Sequence, residues 1–85
     1  MIRTVRWDPP ALRELRALPV QVARRIGRTV DRYAETGHGD VRKLEGAQGL
    51  YRLRVGDFRV IFEFETNQLV IVVLHVRNRR DAYRG

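Results

Sequence analysis

The sequence predicts an α+β fold, a small antiparallel sheet with an N-terminal helical hairpin packed on one face, and three stretches carry that expectation. Residues 50–64, LYRLRVGDFRVIFEF, alternate apolar and polar side chains on both sides of a Gly56-Asp57 pair. That is the pattern of two half-buried strands joined by a two-residue turn. Before it, apolar residues recur at helical spacing between Pro9 and Gly37, with one break at Pro19. After it, residues 69–76 are nearly all apolar, as a strand covered on both faces is.

Taken in order, Met1 to Trp7 alternates imperfectly and reads as a first strand. Asp8-Pro9-Pro10 is a helix-start signal, a capping acid followed by prolines suited to the first turn. Ala11, Leu12, Leu15 and Leu18 form one helical stripe that Pro19 ends. From Val20 a second stripe of Val22, Ala23, Ile26, Val30, Tyr33 and Ala34 faces one way, with Arg24, Arg25, Arg28, Asp31, Arg32 and Glu35 opposite. Gly37 suits a left-handed helix cap. The basic row on this helix reads as a solvated face. Strands rather than a scaffold helix follow it, which excludes a helix-turn-helix DNA reader. Residues 38–49 read as a loop with a short strand near Val41 to Leu44.

Composition bounds the function. Eighty-five residues with 44% hydrophobic content imply one domain, 1–85, with a single modest core. No run of about 18 apolar residues spans a membrane. No signal-peptide pattern opens the chain, which points to the cytoplasm. Zero cysteines and two isolated histidines, His38 and His75, leave no ligand set for a metal, and no cofactor motif is present. The balance of 17 basic against 10 acidic residues, net +7, is what a partner such as nucleic acid or an acidic protein requires. A GC-rich genome explains the preference for Arg over Lys, but not the surplus over acids.

A two-residue loop at 56–57 sets the register of the central hairpin: Val55 faces Phe58, Arg54 faces Arg59, Leu53 faces Val60, Arg52 faces Ile61 and Tyr51 faces Phe62. Directly opposed residues share a side of the sheet. One side is then a core of Tyr51, Leu53, Val55, Phe58, Val60, Phe62 and Phe64. The other carries Arg52, Arg54 and Arg59. Like charges set directly across a hairpin cost roughly 0.2–1 kcal/mol, a cost offset when an anion sits between them, so the hairpin reads as the floor of an anion site. The strand at 69–76 returns toward the Gly56-Asp57 turn and brings the tail, Arg77 to Gly85, beside Arg54 and Arg59. The register of that second pairing is open by one residue, so His75 has no assigned face and reads as packed or hydrogen-bonded.

The order strand, helical hairpin, Lys43-Leu44-Glu45-Gly46, the 51–62 hairpin, an apolar strand and a closing Arg79-Arg80-Asp81-Ala82-Tyr83 resembles the RelE/ParE superfamily of toxin–antitoxin toxins over essentially the whole chain. The resemblance implies a small curved antiparallel sheet with two N-terminal helices on one face, and a cognate antitoxin as partner. It implies one of two activities. RelE-like members are metal-free endoribonucleases that cut messenger RNA on the ribosome; ParE-like members inhibit DNA gyrase without catalysis. Fold alone does not separate them, and an inactive toxin fold retained in a repressor complex is a third possibility. Carried over, Arg52 and Arg54 fall where the type member has lysines, Arg59 on an arginine position and Tyr83 on the terminal tyrosine. Spacing from Tyr83 allows Arg77 or Arg79 as the tail arginine, and the commoner family pattern favours Arg79. Many relatives have a histidine at the position of Asn78. The catalytic set implied is Arg52, Arg54, Arg59, Arg79 and Tyr83, with Lys43, Arg77 and Arg80 as further RNA contacts.

Those residue types suit the chemistry. RNA cleavage without a metal requires a deprotonated 2′-hydroxyl, a stabilised phosphorane and a protonated 5′-oxygen. Guanidinium forks match phosphate oxygens, but with a pKa above about 12 they are poor bases. Tyr83 is the one obvious titratable base of this set. Adjacent cations lower a phenol from its ordinary value near 10, and its ring can also stack on a base.

Overall fold

The computed structural model describes residues 2–78. In chain order they form β1 (Thr4–Trp7), α1 (Pro9–Arg16), α2 (Val20–Thr36), β2 (Asp40–Lys43), β3 (Tyr51–Val55), β4 (Phe58–Glu65) and β5 (Val70–Asn78). The five strands make one sheet in the order β1-β5-β4-β3-β2. Three neighbouring pairs are antiparallel, as the alternation and turns predict. β1 instead joins β5 in parallel, from Thr4 opposite Val70 to Trp7 opposite Val73, so the sheet is mixed. No helix among the described residues is long and apolar enough to cross a membrane.

The hairpin register is the one the two-residue turn dictates, with Arg54 opposite Arg59 and Leu53 opposite Val60. Gly56 has φ 59, a positive value that the first loop residue of a tight hairpin requires and that glycine adopts without a Cβ clash. Leu53, Val55, Val60 and Phe62 are buried on one side. Ile26, Val30 and Ala34 of α2, four residues apart along one stripe, are buried in the same core. Phe62 lies at its centre, 1% exposed, with the rings of Tyr33, Tyr51 and Phe64 at 5.7, 5.6 and 5.3 Å. Phe58 is only partly buried at the margin, less central than the alternation alone suggests.

Helix ends follow the sequence with one exception. Gly37 caps α2 at φ 77, its N–H donating to Tyr33 O at 2.8 Å. Asp8 occupies the N-cap position of α1, yet its carboxylate caps nothing. Pro9 and Pro10 fill the first turn and have no N–H to satisfy, and Asp8 instead lies 3.9 Å from Arg6 Nε.

Two irregularities place the rest. Between β4 and β5, Thr66, Asn67 and Gln68 have φ 51, 55 and 69. This left-handed turn is closed by Leu69 N–H to Thr66 O at 3.0 Å and buttressed by Arg3 Nε to Gln68 O at 2.8 Å. Within β5 the register shifts: Ile61 faces His75, but Phe62 faces Val73. Leu74 is the unpaired extra residue of a β-bulge. Val73 and Val76 can therefore both enter the core, while His75 and Arg77 turn to the outer face.

Candidate functional site

The outer face of the sheet beyond the bulge is a grid of basic residues. Asp40, Arg54, Arg59 and Arg77 succeed one another across β2, β3, β4 and β5, each opposite the next. Alongside runs a second row, Arg42, Arg52, Ile61 and His75. Three arginines from three strands thus stand side by side at the turn end of the hairpin. A depression of about 70 Å³ opens there, lined by Arg52, Arg54, Gly56, Asp57, Phe58 and Arg59. Adjacent guanidinium groups repel, and an anion seated among them converts that repulsion into attraction.

The arginines are not equivalent. Arg52 Nη1 donates to Asp40 O at 3.0 Å and lies 3.3 Å from Asp40 Oδ1, and its side chain is only 14% exposed. It ties edge strand β2 to β3 and its charge is already compensated. Arg54 is exposed and bends toward the turn, Nε donating to Gly56 O at 3.4 Å. Arg77 extends toward α1, with Nε 3.4 Å from Glu14 Oε2.

Glu14 was not singled out by the sequence, where it is one acid in a short basic helix. β1 pairs with β5 only as far as Val73, which leaves the edge of β5 beyond it without a strand. α1 packs there, and Glu14 Oε1 accepts the Val76 N–H at 3.1 Å. The same oxygen is 3.2 Å from His75 Nδ1. His75 is thus hydrogen-bonded, as its sequence context suggests, and the bulge settles its face. Neither the bulge in β5 nor its contact with α1 leaves a sequence signal that could have found this cluster.

Lys43 stands apart. It faces Tyr51 on the core side of the sheet's alternation and lines a separate cavity of about 400 Å³ formed by the β2–β3 connection. Arg79, Arg80 and Tyr83 lie outside the described residues, so of the two candidate tail arginines the structure places Arg77, beside Arg59.

The family model for the ParE toxin of type II toxin–antitoxin systems, parDE, matches residues 5–83. The putative toxin RelE1 of Methanocaldococcus jannaschii is 30% identical over 46 residues, 54% of this chain and 51% of that protein, so the match spans about half the length of this curated relative. Among solved structures, the archaeal RelE–RelB complex of Pyrococcus horikoshii is similar at 32% identity, covering 93% of this chain and 97% of that one with a TM-score of 0.75. A mutant of E. coli toxin RelE in the free state shares the fold at 20% identity and TM-score 0.78, over 98% and 90% of the two chains. With a family match across nearly its whole length, on a sheet and helix pair shared with RelE structures, this chain belongs to the ParE toxin family of type II toxin–antitoxin systems, within the RelE/ParE superfamily.

Proposed function

We propose that this toxin is an endoribonuclease that cleaves messenger RNA on the ribosome without a metal ion, and that a cognate antitoxin silences it in the cytoplasm. The observation that carries the reading is the row Arg54, Arg59, Arg77 on one exposed sheet face. Three preorganised guanidinium groups match the charge of a pentacoordinate phosphorane better than that of a ground-state phosphodiester, which is the condition for catalysis rather than mere binding. Arg52, fixed by Asp40, holds the edge of that floor; Arg79 and Tyr83, outside the described residues, complete the catalytic set that the resemblance implies. The whole chain, 1–85, serves as one toxin domain. The antitoxin covers the arginine face with a segment combining acidic and apolar residues, so that added salt slows association more than it speeds dissociation.

The matching family model favours a second reading, a non-catalytic inhibitor of DNA gyrase in which the same arginines only bind. Brief expression followed by sequencing of RNA 5′ ends separates the two. Discrete cuts inside translated codons support the ribonuclease; intact messages with a DNA-damage response and loss of gyrase supercoiling overturn it.

A further inference from the structure

Two contacts bear on where the proton sits on His75, one from Glu14 and one from Arg77. An ionised carboxylate only accepts hydrogen bonds, and Glu14 Oε1 lies 3.2 Å from His75 Nδ1 while also accepting the Val76 N–H. The Nδ1–H tautomer is the one in which this contact is a hydrogen bond. Arg77 Nη2 lies 3.3 Å from the same nitrogen and donates to it only in the opposite, Nε2–H tautomer, because Arg77 has only donors. In the Nδ1–H tautomer Nε2 holds the lone pair, and Nε2 has no hydrogen-bond partner among the described residues. The ring is partly exposed, 39% for its side chain, and stands on the arginine face. His75 is opposite Ile61 as Arg77 is opposite Arg59, two strand positions and about 7 Å apart. An imidazole held at Nδ1 by a carboxylate, with Nε2 open, has the orientation of a general base. Among the other side chains of this face, guanidinium groups do not give up a proton near neutrality.

We infer that His75 is the general base of RNA cleavage and that Glu14 positions it, an inference that rests on the ribonuclease reading. Nε2 takes the proton of the ribose 2′-hydroxyl as the 2′-oxygen bonds to phosphorus. The bond from phosphorus to the 5′-oxygen breaks, and that oxygen takes a proton from solvent. The imidazolium returns its proton to solvent, and the products are a 2′,3′-cyclic phosphate and a 5′-hydroxyl. Arg59 and Arg77 hold the phosphoryl oxygens during the step.

Two measurements test this. In the free toxin, long-range ¹⁵N–¹H NMR of His75 should show the neutral ring as the Nδ1–H tautomer. In Glu14→Gln, whose amide oxygen can still accept the Val76 N–H, part of the population should change to the Nε2–H form with the fold intact. An Nε2–H ring in the parent overturns the positioning role of Glu14. On translating ribosomes, His75→Gln keeps a donor for Glu14 and should lower kcat about 10²–10⁴-fold with little change in KM. His75→Ala should recover part of that loss when imidazole is added, which a purely structural role would not produce. If the parent cuts RNA and His75→Gln cuts equally well, the base role is wrong while the ribonuclease reading stands. If the parent leaves ribosome-bound RNA intact, the ribonuclease reading falls and the base role with it, whatever the tautomer.

Discussion

At the β1 end of the outer face Arg6 reaches across β5 to Glu65, Nη2 to Oε2 at 3.1 Å, with Glu63 on the same side of β4. Beneath them Val72, opposite Arg6 and Glu63, is 1% exposed although it belongs to no helix-covered core. Beyond Leu74, β5 and β4 together with β3 carry Arg77, Arg59 and Arg54 side by side. One end matches each base with an acid across the sheet and uses the long side chains as a roof over an apolar strand. The other sets arginines next to one another, with Asp40 paired to Arg52 and Glu14 to Arg77 at the two margins of the grid. The two ends share β4 and β5 and differ in side-chain chemistry and in the bulge that separates them. Charge at the first end is paired across the strands, and at the second it is concentrated on one face.

Substitutions can break or sharpen that contrast. The largest effect should come from the core both ends share: Phe62→Ala should cost about 3–5 kcal/mol, seen as an early thermal melt together with loss of cleavage. Next, Arg59→Ala should lower cleavage on the order of 10²-fold, the effect of removing one preorganised charge worth about 3 kcal/mol in the transition state. Its melt should stay within about 1 kcal/mol of the parent, as for a partly exposed side chain outside the core. An early melt, or cleavage at the parent rate, would break the assignment of ligand binding to this end. At the other end, Gln68→Gly should stabilise the chain by about 1 kcal/mol, since glycine adopts φ 69 without the Cβ clash, and denaturant midpoints would register it. Smallest of all, Arg6→Ala removes two exposed ion pairs, to Glu65 and Asp8, each worth about 0.2–1 kcal/mol at most, and should leave cleavage unchanged. A loss of cleavage there would erase the distinction between the ends.

What could be read in advance follows the range of the forces involved. The 51–62 hairpin was legible to the residue because a two-residue turn and strict alternation are local and agree with each other. The stripes of both helices were legible for the same reason. The parallel seat of β1 was not, because Thr4 and Val70 meet only after the intervening elements have folded. Arg52 and Arg54 looked alike in sequence; Asp40, arriving on another strand, separates them. Glu14 and His75 were invisible as a pair, because a single extra residue in an apolar run leaves no mark on composition or periodicity, yet decides which face His75, Val76 and Arg77 occupy.

That extra residue makes the last strand more sensitive to chain length than to chemistry. Exchanging Leu74 for another apolar residue alters one side chain. Removing its codon inverts the parity of everything after it: His75 and Arg77 would be driven among the valines, and Val76 would be turned out to water. The toxin's surface chemistry is therefore kept by a count as much as by residue identity. In-frame deletions here should be the mutations that silence it most completely, and a library of point substitutions would never sample them.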